Sequence, residues 1–175
     1  MVDPFRLRAM KQLSHYVKQV NPANGCEFDL SDFVDSAGRP AERVFRGRTL
    51  FGDNDPRPMV VLLEDPRPVE AVNGTSTSPA AVNQFRVLLQ GFVEDDREHP
   101  LDPAYKLSAE VVRALVRAKA NRFDILGLGK TAPCVTSLSI GQPVHRPPDD
   151  EVSSVAYFLI PVTLGLAEDL ENPFA

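Results

Sequence analysis

Apolar and polar positions recur with different periods along this chain, and each period predicts a different element. The longest stretch in which the local signals agree runs from Phe85 to Lys119. Phe85–Val93 gathers Val87, Leu88, Leu89, Phe92 and Val93 around Gly91. That density exceeds what a strand wet on one face carries, so it predicts a strand covered on both faces. Glu94–Leu101 reads as an acidic turn, and Pro103 to about Lys119 as an amphipathic helix. Ala104, Leu107, Val111, Leu115 and Ala118 recur at helical spacing, with Lys106, Glu110, Arg113 and Arg117 mostly opposite. Asp102 is placed to accept hydrogen bonds from the first free amides. Pro103 suits the first helical position, where its missing N–H costs nothing.

Elsewhere the same rules apply. Asp3–Pro4 repeats the cap-then-proline arrangement ahead of a helix with Leu7, Met10, Leu13 or Ser14, and Val17 on its apolar side, ended by Asn21–Pro22 and Asn24–Gly25. Cys26, Phe28 and Leu30 alternate with polar residues and predict a half-buried strand. Ser36–Pro40 is a turn. Arg43–Phe51 reads as a strand carrying Arg43, Arg46 and Arg48, with Arg46 and Arg48 on one face and Thr49 opposite. After the break at Gly52–Pro56, Met59–Glu64 has the length and valines of a central strand. Val69–Val82 has the composition of a mobile loop. Asn121–Ala132 is ambiguous, with Phe123, Ile125, Leu126 and Leu128 apolar. Cys134–Ile140 reads as a strand with Cys134, Thr136, Leu138 and Ile140 on one face, and Gly141–Asp150 as a second, proline-rich loop. Val152–Leu164 is the last strong strand, within which Pro161 demands an edge, a bulge or a bend. The tail is acidic, then apolar at Phe174. The order of helix, strands, helix and strands predicts an α+β (α/β) fold, a mixed, mostly antiparallel sheet packed against two main helices.

Composition narrows the function. The 175 residues suit one domain, 43% apolar residues suffice for a core, and a net charge of −5 argues against a general phosphate-binding surface. Cys26 and Cys134 match no zinc spacing; free thiols are the simplest account, with a disulfide left open. No apolar run approaches the ~20 residues that cross a bilayer. Charged residues at Asp3, Arg6, Arg8 and Lys11 do not fit a secretory leader, so synthesis in a cytoplasm is expected.

Residues suited to chemistry are few and scattered along the chain. Gly127–Thr131 has the ending of a phosphate-binding loop, but Asp124 stands where that motif needs its first glycine, and a strand rather than a helix is expected to follow. Glu94, Asp95, Asp96, Glu98 and Asp102 concentrate carboxylates of the kind that bind a hard cation in a metal-dependent hydrolase, yet their spacing is not that of a calcium loop, and negative charge ahead of a helix is favourable without a metal. His15, His99 and His145 are dispersed, and only the fold could assemble them into a triad. Arg39, Arg43, Arg46 and Arg48 form the one basic concentration, suited to a solvated face or a subunit contact. No catalytic, cofactor-binding or metal-ligating residue is assigned, and no cofactor is expected.

Three stretches together resemble a known family. Phe45–Pro68 (FRGRTLFGDNDPRPMVVLLEDPRP), Leu88–Leu107 (LLQGFVEDDREHPLDPAYKL) and Val155–Ala175 (VAYFLIPVTLGLAEDLENPFA) look like the tail terminator proteins of long-tailed bacteriophages, also described as minor tail or tail completion proteins. The likeness is one of overall pattern over most of a single domain, 1–175. It fits the loops near 69–82 and 141–150 poorly. The resemblance implies a virion protein at the head-proximal end of the tail. There a homo-oligomeric, hexameric ring caps the tail tube, ends its polymerisation and offers a surface to the neck, while DNA passes through without sequence-specific binding. A related expectation is another neck or head–tail connector ring. A closed ring needs two different complementary patches on each subunit. The candidates are Arg43, Arg46 and Arg48 on one side, Glu94, Asp95, Asp96 and Glu98 on another, and the tail ending in Phe174 as a docking arm.

Overall fold

A computed structural model of the chain describes residues 2–52, 54–65, 80–149 and 152–174. Its elements in chain order are α1 (Phe5–Val17), β1 (Phe33–Val34), β2 (Pro40–Ala41), β3 (Val44–Arg46), β4 (Met59–Glu64), β5 (Ala80–Val93), α2 (Asp102–Ala118), β6 (Cys134–Ile140), β7 (Val144–Arg146) and β8 (Ala156–Asp169). The main sheet has the order β3-β4-β5-β8-β6, and β7 pairs with β8 beyond the end of β6. Only β3 and β4 run parallel; the other pairings of this sheet are antiparallel. The α+β expectation is met.

The sheet is organised around β5 and β8, whose ladder extends from Ala80↔Asp169 to Val93↔Ala156. Both helices pack on one face. Val60, Leu62, Phe85, Val87, Leu89, Val93, Phe158, Ile160, Val162 and Leu164 meet Phe5, Ala9, Leu13 and Val17 of α1 and Leu107, Val111 and Leu115 of α2 in one buried cluster. The α2 face is the one its spacing predicts, with Ala104, Leu107, Val111, Leu115 and Ala118 all buried. That of α1 is rotated. Phe5 starts a four-residue stripe through Ala9, Leu13 and Val17, while Leu7 turns outward.

Neither helix is capped as the sequence suggests. Leu101 precedes α2 without a side-chain cap, and Asp102 is the first helical residue, with Pro103 second. Pro4 precedes α1, and Asp3 pairs instead with Lys11. Asp102 still contributes a favourable charge in the first turn.

The expected strand over Cys26–Leu30 is absent. Two of its backbone amides are satisfied by a side chain rather than a ladder, since the Glu110 carboxylate of α2 accepts from Glu27 N at 2.7 Å and Phe28 N at 3.2 Å, while Cys26 N and Leu30 N donate to Asn21 O and Val20 O. Replacing Glu110 with alanine leaves two amides unpaired and is expected to cost about 1 kcal/mol. Hydrogen exchange should then quicken at Glu27 and Phe28 while α2 stays protected; unchanged exchange would refute this anchor.

Among the described residues, the far face of the sheet is covered at one end. Phe45, Phe51 and Leu63 pack on the buried Met59, Val61, Phe92, Val155 and Tyr157 there. Farther along β5, Arg86, Leu88 and Gln90 are half-buried. Among the described residues the expectation of cover on both faces is therefore met at one end of β5. The mobile loop expected over 69–82 lies outside the described residues up to position 79, and Ala80–Val82 belong to β5. The second expected loop, 141–150, contains β7.

Pro161 sits inside β8, opposite Leu88. Its carbonyl accepts Gly141 N at 2.7 Å. In an antiparallel strand the N–H and C=O of one residue point to the same side, so the missing donor faces the interruption between β6 and β7. The neighbouring column therefore carries the break that the proline demands. Within β6 the register shifts between Val135 and Ser137. This bulge buries Val135 and Leu138 and leaves Thr136 exposed, which breaks the expected Cys134–Thr136–Leu138–Ile140 face.

Candidate functional surface

The acidic turn follows directly from β5, where Val93 is still buried. Asp96 shapes it: one carboxylate oxygen accepts Glu98 N at 2.8 Å and His99 N at 2.9 Å. These backbone bonds, His99's first, hold the Asp96 carboxyl below the usual aspartate range. Glu94, Asp95 and Glu98 are exposed and have no ionic partner among the described residues. Among those residues there is no group of three or more His, Cys, Asp or Glu side chains arranged to hold a metal ion. The turn presents separate carboxylates on a backbone that Asp96 stiffens.

The arginine segment differs more from its expectation. β3 ends at Arg46 because Gly47 turns the chain with φ +70°, a left-handed conformation that favours glycine. The alternation that put Arg46 and Arg48 on one face does not continue past this point. Arg43 donates to Arg57 O at 3.0 Å and lies 4.4 Å from the Phe33 ring centre. Arg48 lies over Phe45 and Phe51, pairs with Asp55 at 2.6 Å and donates to Leu50 O at 3.1 Å. Asp55 in turn accepts Gly52 N at 2.7 Å. Two of the three candidate arginines thus hold their own chain together. Arg46 alone is exposed and without an ionic partner among the described residues.

The two charged patches are not opposed. Val60 N donates to Arg43 O, and Val60 pairs with Gly91 near the end of β5 from which the acidic turn departs. Arg57 stands between them. It lines a cavity of about 240 Å³ with Glu27, Glu94 and Lys106, and a second of about 250 Å³ with Phe51, Phe92 and Ser153. Its guanidinium lies over Phe92, and its buried Nε has no hydrogen-bond partner. Phe174 is exposed at the other end of the molecule, where the neighbouring Pro173 O accepts Phe5 N at 2.9 Å. Pro173 is therefore tied to the start of α1, with the exposed Phe174 next to it.

The fold does bring one histidine to a serine. His145 of β7 stacks 3.8 Å from Tyr105 and lies 2.8 Å from the Ser108 hydroxyl through Nε2. Ser108 is 2% exposed and donates to Tyr105 O at 2.9 Å, so it receives the imidazole N–H. Burial holds the His145 pKa below its usual value, which keeps the ring neutral. The pair ties β7 to α2, and its hydroxyl is closed to solvent. At Gly127–Lys130, Gly129 N donates to the Asp124 carboxylate at 2.9 Å, so the loop is filled by its own anion, and no α-helix lies between it and β6. Cys26 and Cys134 are free thiols.

Sequence reasoning passed over Leu50, which is 84% exposed at the tip of the turn that Arg48 and Asp55 brace. The available signal was a lone leucine between Thr49 and Phe51, beside glycine and aspartate. It also missed the Arg6–Glu168 pair, bidentate at 2.9 Å and joined by Asn83 at 2.8 Å, which no local pattern announces across a separation of 162 residues. None of the helices is long and apolar enough to cross a membrane, among the described residues. No protein-family model matches the chain, and no curated protein gives a significant match.

Proposed function

We propose that the chain is a structural subunit of a phage tail, a tail terminator whose ring caps the tail tube, ends its polymerisation and receives the neck. The observation that carries this reading is where the three family-like stretches meet. They are far apart in sequence, yet Phe45–Pro68 supplies part of β3 and all of β4, Leu88–Leu107 the end of β5 and the start of α2, and Val155–Ala175 all of β8. These strands are neighbours in one sheet. A likeness confined to unrelated surface loops would not converge in this way.

The surface chemistry agrees with a docking role. Exposed carboxylates at Glu94, Asp95 and Glu98 flank a stiffened turn, and such charge adds specificity and encounter rate more than affinity. Acidic groups near a DNA channel also limit adhesion to phosphates. The test is to add the purified chain to a polymerising tail-tube protein and to image both. The expected result is a six-fold ring with a central opening on its own or at tube ends, and tubes that stop lengthening. Unaltered tube growth together with no ring at tube ends would overturn the proposal.

A further inference from the structure

The Leu50 turn is built as a projection. Arg48 is held by two aromatic rings and by Asp55, and Asp55 also binds the Gly52 amide. This bracing orders a turn whose leucine tip contacts solvent rather than the core, with the unpaired Arg46 just before it. Phe51 packs on Phe92 in a tilted pair, 5.3 Å between ring centres, which fixes the turn beside the Phe92↔Tyr157 end of the β5–β8 ladder.

A groove of about 210 Å³ lies at the other end of that ladder. Pro4, Pro133, Leu170 and Pro173 give it apolar walls, and the Arg6–Glu168 pair borders it. Asp169 lines it and accepts the amides of Glu171 and Asn172, and the exposed Glu171 lies in sequence between the lining Leu170 and Asn172; neither carboxylate has an ionic partner among the described residues. From Phe92↔Tyr157 to Ala80↔Asp169 the ladder spans roughly 40 Å at a rise of ~3.3 Å per residue. One molecule cannot bring its own turn to its own groove over that distance.

We infer that the Leu50 turn of one copy seats in the chain-end groove of a second copy, with Arg46 facing Asp169 and Glu171. This rests on the ring reading above and names the surfaces that meet. The occupant is a second copy because the two features match in three ways. An apolar tip meets apolar walls, a free cation meets two free carboxylates, and their placement at opposite ends of the subunit makes the contact head-to-tail. Such heterologous contacts form a ring when the rotation between successive copies closes, as the ring reading requires. Salt affects the charged rim and leaves the leucine contact largely intact.

The experiment measures particle mass by light scattering and sedimentation over a concentration series. Leu50→Asp is expected to weaken self-association roughly thirtyfold, as loss of a central anchor does. Leu50 is exposed, so the monomer fold provides no reason for this loss, and circular dichroism should be unchanged. Arg46→Glu and Glu171→Arg should each weaken assembly, and the double variant should recover it, since the swapped pair meets again between copies. If Leu50→Asp assembles like the parent, or if the double variant is no better than either single one, the inference is overturned while a ring seen at tube ends leaves the terminator reading standing. If the parent remains monomeric up to about millimolar concentration, a level that even a weak specific contact would populate, the inference also fails, and tube capping then judges the terminator reading separately.

Discussion

Gly91→Ala is expected to destabilise the chain by about 3 kcal/mol, near the upper end of what overpacking a core costs. Gly91 lies directly opposite Phe158 in the β5–β8 ladder, and a Cβ added there would stand 2.1 Å from Phe158 Cζ and 2.3 Å from Cε1. The ring is fully buried and is flanked on its other side by His145 of β7, 6.3 Å between ring centres. Phe158 therefore has little room to swing away, and Gly91 is part of a central strand with β4 on its other side. The substitution gains ~0.5–1 kcal/mol from the lower chain entropy of alanine, too little to offset the clash. For a chain of this size the net loss corresponds to a melting temperature lower by about 9 °C. Phe158→Leu alone opens a cavity and costs stability, but it removes the atoms that meet the new methyl. The double variant should thus be more stable than the sum of the two single losses predicts. Strict additivity in thermal or urea unfolding would refute the contact as the cause.

Glu168→Gln is expected to cost about 2 kcal/mol at neutral pH and to flatten the acid limb of the stability curve. Glu168 is 8% exposed on β8, and its carboxylate receives two hydrogen bonds from Arg6 and one from Asn83. Losing one member of a fully buried ion pair costs ~3–5 kcal/mol, but the Arg6 side chain is half exposed, and water screens the remaining charge. Burial alone would raise the Glu168 pKa. The hydrogen bonds from Arg6 and Asn83, with the charge of Arg6, outweigh it and hold the folded pKa below the ordinary 4.5. The sign follows directly. The unfolded chain binds this proton more readily, so the pair contributes its full stabilisation above 4.5 and loses it as pH falls from there through the lower folded pKa. Urea midpoints between pH 7 and about 3 should fall more steeply for the parent than for the glutamine variant. Equal slopes would mean that Glu168 does not carry the acid response.

These two effects lie at different distances from the sequence. Gly91 is visible as an interruption in an apolar run, but nothing local says that Phe158 fills the space above it. Glu168 reads as one more acidic residue of a charged tail, and only the packing of α1 beside β8 gives it an ionic partner. The site residues divide similarly. The turn from Glu94 to Glu98 is legible because its carboxylates follow a buried strand and precede a proline-started helix. The arginines are not. Arg43, Arg46 and Arg48 look equivalent in a string, yet Gly47 ends the strand between them, and Phe33, Phe45, Phe51 and Asp55 claim two of the three. Leu50 shows the converse, since an apolar residue in a turn reads as core until its environment is known.

Elements with a strong internal period were determined by the sequence alone: the buried face of α2, the central position of β4, the Phe85–Val93 part of β5, the Ala156–Leu164 part of β8, and the α+β class; the extension of β5 back to Ala80 and of β8 on to Asp169 was not. In these, backbone hydrogen bonding and side-chain burial obey one short-range rule, so local pattern and fold agree. Tertiary structure decided the rest. Cys26–Leu30 alternates like a strand but gives its Glu27 and Phe28 amides to Glu110, a partner more than eighty residues away. Val144–Arg146 reads as loop but becomes β7 because β8 offers it an unpaired edge beyond Pro161. The rotation of α1 is set by the sheet and by α2, and the bulge in β6 by the strand beside it. A short segment carries too few contacts of its own to choose a conformation, and the free backbone groups of its neighbours make that choice.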